Sequence, residues 1–463
     1  MKIHEEVLRS LRGWGDYPAI IEVGSAVPDR VLTAGELVRS IEETAAFLHA
    51  SGVRNGMQVA MFLGNSAGFL QTFLAICALG AIPVLLKLEY RRMELDEIFA
   101  NSTPAVVIVE KNHLESLRSY LKEQTIITFE QGRFRLVQET TNPPRETDLP
   151  ADIASLIYTY RGYGYPLAAM IPHAQFLQGA LSFQERTQGV AGEKLLFTLP
   201  MSHILTLVGC ILVPLLNRMT VVIACTMHPQ RIFSFIEKYG IERIIAVPEV
   251  FLFFLRLLDL STNISSLKVL VSGGSNLTAA NYLIIKNAFK AELLNGYGLT
   301  EFAPVSGQYC GEARPGTLGP PCSPLEARID SADDEQEGEI VIRGPHMFRG
   351  YYHREAETRE AFKNGWFSTG DLGRFDGDHL VFIREKKKTC KVNGSLVDLE
   401  EVRRAILRDP DIPDAIVEGS NNKICANITL SHRIDIKEKT RLLLSSLRTL
   451  LADNKMPTKI TRM

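Results

Sequence analysis

Short apolar runs without polar alternation, each followed by an amphipathic stretch, recur through the first 300 residues of this chain. They read MQVAMFL (57–63), PAVVIVE (104–110), KLLFTLP (194–200), MTVVIAC (219–225), IERIIAVP (241–248) and LKVLVSGG (267–274). A strand with one wet face alternates polar and apolar residues, whereas a strand apolar throughout is covered on both faces. Helical crossovers between such strands build parallel sheets. With 463 residues the chain exceeds one simple core, so the expected class is α/β multidomain, rich in parallel sheet.

Local signals set the element ends. LTAGELVRSIEETAAFLHASGV (32–53) has helical apolar spacing, with Thr33 placed to cap it and Gly52 just past its end. FLQTFLAICALGAIPVLL (69–86) comes nearest to a membrane span, but Gln71, Thr72, Gly80 and Pro83 interrupt it. It is expected to be a buried helix running into a buried strand. The segment 139–152 is charged and proline-bearing and reads as a linker.

After about residue 315 the texture changes to short strands and turns, LEARID, GEIVIRG and HLVFIRE. These predict an antiparallel, distorted β region. From Arg384 follow a basic run, the helix DLEEVRRAILRD, a hairpin turning at Asn421–Asn422 and a last helix. The expected division is a large domain over 1–383 and a small α+β domain over 384–463.

Composition excludes several classes. Fifty-one basic against 53 acidic side chains leave a net charge of −2, which gives no footprint for nucleic acid. The N-terminus lacks a signal-peptide core. Seven widely spaced cysteines form no C-x-x-C pair, so they are expected to be reduced thiols of a cytoplasmic protein.

Chemistry concentrates in two stretches. In NGYGLTE (295–301), Gly296 and Gly298 let backbone approach a flat ligand, and Tyr297 offers a ring face. Thr300 can hydrogen-bond a phosphate, and Glu301 is a hard oxygen ligand suited to Mg²⁺. In GWFSTGDLGRFDGDHLVFIRE (365–385), Asp371 sits among glycines in an expected turn, where its carboxylate can accept both hydroxyls of a ribose. Arg384 ends the next strand.

The ordered series LTAGEL, LPMSHI, VSGGSNL, GYGLTE, GEIVIRGPHMFRGYY, STGDLGRFD and REKKKTCKVNGSLVDLEEVR resembles the adenylate-forming superfamily of acyl-CoA synthetases, peptide-synthetase adenylation domains and firefly luciferase. The resemblance covers essentially the whole chain. It implies a large domain carrying the active site and a small one swinging on a hinge. It implies that ATP and Mg²⁺ activate a carboxylate to an acyl-adenylate, which is passed to the thiol of coenzyme A or of a carrier protein's phosphopantetheine.

By that resemblance Tyr297 stacks on adenine, Thr300 touches phosphate, Glu301 holds the metal, Asp371 and Arg384 bind ribose, and Lys386 marks the hinge. Gly274 and Gly296 join the nucleotide set, Lys391 of KVNG faces the thioester step, and His203 of LPMSHI borders the acyl pocket. His203 is equally readable as a packed core histidine, and the run from Lys386 to Lys388 as a solvated charge cluster. LPMSHI lacks the aspartate of amino-acid-activating relatives, so a fatty or aryl acid is expected. An acyl carrier protein as acceptor and a homodimer as assembly stay open.

Two departures stand out. The superfamily's phosphate loop, T-S-G-T-T-G-x-P-K-G, is replaced by T-Y-R-G-Y-G-Y-P-L-A at 159–168. Thr159, Gly164 and Pro166 match, Gly162 keeps the turn pliable, and Leu167 stands for the lysine. Either Arg161 returns the missing positive charge to a phosphate, or it and the tyrosines seal a loop that binds nothing. The sequence also reads KMPTKITRM where the resemblance places the approach to a catalytic S/T-G-K lysine, and Lys455 and Lys459 lie too early to replace it. The expectation is adenylation slowed by ~10²–10³ with thioester formation spared.

Overall fold

The computed structural model describes residues 1–24, 28–121, 123–140, 147–259, 262–331, 336–386, 388–420, 422–430 and 435–462. Two parallel-rich sheets form the large domain. The first has seven strands in the order Arg133–Gln138, Thr125–Glu130, Val106–Glu110, Gln58–Phe62, Ile82–Leu85, Ile153–Thr159 and Leu167–Pro172. Its interior pairs are parallel and both edge pairs antiparallel. The second has eight strands, again parallel inside with an antiparallel pair at each end.

Strands 58–62, 220–224 and 243–246 are buried at every residue, as their unbroken apolar runs require. Helix Ala34–Ala50 starts where the sequence says: Thr33 Oγ1 accepts from the Glu36 backbone N–H while Glu36 answers to the Thr33 N–H. The 69–86 stretch is a buried helix, Ala67–Ala78, followed by strand Ile82–Leu85. Among the described residues no helix is long and apolar enough to cross a membrane, and all seven cysteines are free thiols.

The distorted β region is a five-stranded antiparallel sheet over residues 326–385. Beyond it, the smaller domain holds the hairpin Thr389–Val392/Ser395–Asp398, helices Leu399–Ile406 and Ile436–Leu450, and a three-stranded sheet. Its last strand, Lys459–Arg462, pairs parallel with Lys423–Thr429. The expected turn at 421–422 is half visible: Asn421 lies outside the described residues, and Asn422 takes the left-handed conformation a tight hairpin requires. Part of the 139–152 linker also falls outside them.

The two domains are docked. Met93, from the large-domain helix Arg92–Ser102, packs into the small-domain core. Across the same interface, Lys455 Nζ is buried against Glu94 Oε1 (2.6 Å), Glu401 Oε2 (2.5 Å) and Tyr160 Oη (2.9 Å). Both carboxylates are at most 1% exposed. A buried ammonium shared by two carboxylates is tolerable only with such complete pairing.

Candidate functional site

Three cavities share Gly274 and Gly298 in their walls. The first holds about 1080 Å³ of space, part of it open to solvent, bordered by Lys87, Thr159, His203, Thr300, Glu301 and Lys391. The second, about 660 Å³, is walled mainly by apolar side chains such as Phe183, Leu205, Val208 and Val271. The third, about 530 Å³, lies between Gly296, Tyr297, Asp371, Glu385 and Lys391. Concave sites with a few convergent polar groups are where small molecules bind.

The fold explains the convergence. Residues 296–301 leave the C-terminal end of strand Glu292–Tyr297 in the second sheet, and ligands gather at such carboxyl ends. Gly274 follows strand Val269–Ser272 at φ +83°, a conformation that favours glycine. His203 precedes a π-helical segment, Thr206–Leu212, that lines the apolar cavity. Lys391 arrives from the small domain on its 389–398 hairpin, and a Cβ at Gly394 would lie 2.8 Å from Val247. The small domain therefore presents its KVNG face to the cavities.

Protonation states follow from burial. His203 is pushed down to about 3 by burial, helped by the cations Lys87 and Lys391, so its ring is neutral. Its Nδ1 accepts from the Leu205 N–H at 3.3 Å, which leaves the ring proton on Nε2. His203 is thus a cavity-lining donor rather than a packed core histidine. Tyr297 and Tyr351 are driven well above the usual phenol range by burial, next by Asp371 and Glu301 respectively. As phenols they donate, Tyr297 Oη to Asp371 Oδ2 at 2.6 Å and Tyr351 Oη to Glu301 Oε1 at 2.5 Å.

The phosphate loop differs most from expectation. Residues 160–166 link strands Ile153–Thr159 and Leu167–Pro172. Every loop tyrosine is tethered: Tyr160 to Lys455, Tyr163 to Glu360 and Tyr165 to Glu357. Arg161 turns inward over the Phe367 ring, donates to the Ser368 carbonyl at 2.7 Å, and lies 3.7 Å from Glu301 Oε1. It does not reach out for a phosphate in this arrangement.

The loop's own donors are already taken. Asp398 Oδ2 accepts from the backbone N–H groups of Gly162 (2.9 Å) and Gly164 (3.1 Å). Its Oδ1 accepts from Glu400 and Glu401, capping helix Leu399–Ile406. Backbone N–H groups in such a turn are a natural anion cradle, and here the anion is a side chain of the other domain. Arg404 donates to the Gly164 carbonyl at 2.7 Å, completing the clasp.

Three expectations need correction. Asp371 is not in a turn but inside the strand Trp366–Asp376, paired with Glu385 on one side and lying at a bulge against strand Gly338–Arg343 on the other. Arg384 does not join it: Asp371 pairs with Glu385, so strand alternation sends the exposed Arg384 to the opposite face. The Mg²⁺ assigned to Glu301 does not fit the arrangement, since the carboxylate already faces the Arg161 cation and the Tyr351 hydroxyl. Nor do the described residues include a cluster of three or more His, Cys, Asp or Glu side chains able to hold a metal. Lys386, away from the cavities, pairs with Glu339 at 2.9 Å.

Sequence reasoning missed Lys87, Asp398, Lys455 and Arg186. The D-L-E-E pattern does announce Asp398 as a helix cap, but nothing local reveals its second set of partners.

Comparison with known proteins converges on one group. A feruloyl-CoA synthase of an Amycolatopsis species is 28% identical over 452 residues, covering 93% of this chain and 89% of that protein. An indoleacetate–CoA ligase of Aromatoleum aromaticum is 26% identical over 459 residues, covering 93% and 89%. Among solved structures, the amide bond synthetase McbA of Marinactinospora thermotolerans superposes with a TM-score of 0.86 at 19% identity, covering 100% of this chain and 96% of that one. The o-succinylbenzoate CoA synthetase of Bacillus subtilis gives 0.84 at 20%, covering 99% and 94%. The AMP-binding enzyme family matches residues 7–352, and the chain belongs to that family.

Proposed function

We propose that this protein is an acid–thiol ligase that activates a carboxylic acid with ATP and passes the acyl group to a thiol. The observation that carries the reading is the meeting of three cavities at Gly274 and Gly298, one compartment each for acyl group, nucleotide and reacting centre. In the first step a carboxylate oxygen attacks the α-phosphorus of ATP and pyrophosphate leaves. In the second a thiolate attacks the acyl carbon and AMP leaves.

The chain's residues divide the work. The apolar cavity takes the acyl group, an aryl or fatty one, and neutral His203 at its mouth offers an Nε2–H to an acyl oxygen. Tyr297 and Asp371 serve the nucleoside, and Thr300 its phosphate. Lys391 borders both the reacting and nucleoside cavities, so it places a positive charge where AMP departs. The docked small domain suits the thiol step, with coenzyme A or a carrier's phosphopantetheine as acceptor. Because Asp398 occupies the loop amides, binding of a triphosphate requires the small domain to swing away about a hinge at Arg384–Lys386, between domains 1–383 and 384–463.

The test is thioester and AMP formation from ATP, coenzyme A and a panel of aryl and fatty acids, followed by mass spectrometry. Turnover is expected, with Lys391→Met reducing kcat/KM by ~10²-fold or more. Absence of thioester across the panel, including from preformed acyl-adenylates, would remove the proposal. Product from acyl-adenylates alone would confine it to the second step.

A further inference from the structure

Within the apolar cavity one side chain is out of character. Arg186, in the last turn of helix His173–Thr187, lines that cavity and is only 5% exposed. Its Nη2 donates to the Pro321 carbonyl at 2.9 Å, and its guanidinium lies 3.7 Å from the centre of the Tyr309 ring. The Tyr309 hydroxyl is turned away to Glu185. The neighbouring Cys322 thiol is pushed up to about 11 by burial, so it stays neutral, and its sulfur is a weak hydrogen-bond partner of the guanidinium. None of these contacts is an anion, and Nε and Nη1 have no oxygen partner.

Burying an ionised group without pairing is costly, and two free donors add to the cost. Ser272 Oγ and Asn295 Oδ1 line the same cavity and are also unpartnered. Arg186 borders only the apolar cavity, whereas His203, Gly274 and Gly298 border it together with the reacting one. The guanidinium therefore stands away from the reacting centre, at the end where the remote part of an acyl group would lie.

We propose that Arg186 is a specificity-determining residue and that the acid activated here carries a second acidic oxygen, a carboxylate or a phenol, at its far end. The inference rests on the ligase reading above and narrows its substrate class. The second group accepts hydrogen bonds from Nε and Nη1 in the planar fork geometry that guanidinium offers to paired oxygens. A site built for such bonds discriminates strongly against an analogue lacking them.

Matched probes decide it: cinnamate, 4-hydroxycinnamate and 4-carboxycinnamate, each titrated calorimetrically into the protein and separately assayed for thioester formation. At least one bifunctional acid is expected to bind about tenfold or more tightly than cinnamate, and which one it is identifies the second group. Arg186→Met should shrink that advantage to less than about threefold, while Arg186→Lys retains part of it. Cinnamate binding as tightly as both partners overturns the proposal, as does an unchanged ratio in Arg186→Met or failure of both bifunctional acids to bind. A merely structural arginine would lower the thermal midpoint of Arg186→Met without moving the ratio. If that variant does not fold, Arg186→Lys and the wild-type ratio carry the test. Selective binding without turnover would sink the ligase reading alone; turnover without selectivity would sink this one.

Discussion

The acyl cavity and the phosphate loop lie in the same site but stand in opposite states. The cavity is open space with donors and acceptors left over, Arg186, Ser272 and Asn295 among them. The loop borders the reacting cavity through Tyr160 but is tied down: Asp398 takes its amides, Glu301 faces Arg161, and Lys455 anchors its first tyrosine. Polar atoms without a protein partner leave room for water or a ligand, whereas satisfied ones mark where the protein has supplied its own counter-charges. The docked state is thus prepared for an acyl group and closed to a phosphate tail.

The sharpest way to break that contrast is to remove the interdomain cation. Lys455→Met strands Glu94 and Glu401 without a partner, and losing one member of a buried ion cluster typically costs about 3–5 kcal/mol. A lower denaturation midpoint is expected, together with faster proteolysis around residues 384–388. An unchanged midpoint would show that the cluster does not hold the domains together.

Next in size is a pH effect. Burial raises Glu401 from an ordinary 4.5 to about 7, Glu94 adds to the rise, and Lys455 opposes it. Between those two values the folded chain holds a proton that the unfolded chain has released, so stability falls as pH rises through the window and levels off above it. Denaturation midpoints from pH 4 to 8 should show this loss, on the order of 3 kcal/mol. Glu401→Gln should flatten it, and a wild-type profile rising with pH would contradict the assignment.

The smallest expected effect separates the two nucleotides. Asparagine offers one acceptor oxygen where Asp398 uses two, so Asp398→Asn cannot serve the loop and the helix together. Docking should weaken by about 1 kcal/mol. Since a docked loop must be vacated before a triphosphate binds, ATP affinity by calorimetry should rise several-fold in the variant while AMP affinity moves less. Equal shifts for both nucleotides would mean that Asp398 does not guard the phosphate subsite.

The sequence was readable where information is local. Apolar runs without alternation placed the parallel strands, and Thr33 gave a helix start to the residue. The G-Y-G-L-T-E stretch put Tyr297, Thr300 and Glu301 at a strand's end beside the cavities. Asp371 was misplaced because its flanking glycines imitate a turn, while pairing with distant strands at 338–343 and 379–385 keeps the segment extended. Arg384 could not have been excluded by counting: regular pairing back from the Asp376–His379 turn sets it opposite Asp371, and only the bulge between Leu372 and Gly373 shifts it by one residue. Asp398, Lys455 and Arg186 could not have been found either. Their partners lie 234–236, 54–361 and 135 residues away, and no local pattern encodes such pairings.

The bare backbone at Gly274 and Gly298 makes substrate choice and chemistry separable traits. All three compartments open onto those two positions, while Phe183 and Arg186, which shape the acyl end, touch neither the nucleoside nor the reacting cavity. Changes at the acyl end can redraw the range of acids while the reaction machinery stays as it is. A side chain at Gly274, whose φ is +83° and whose added Cβ would touch Val247, would instead intrude where all three compartments border one another. A residue without a side chain is therefore the least replaceable part of the site, and a charged one at its far end is the most free to diversify.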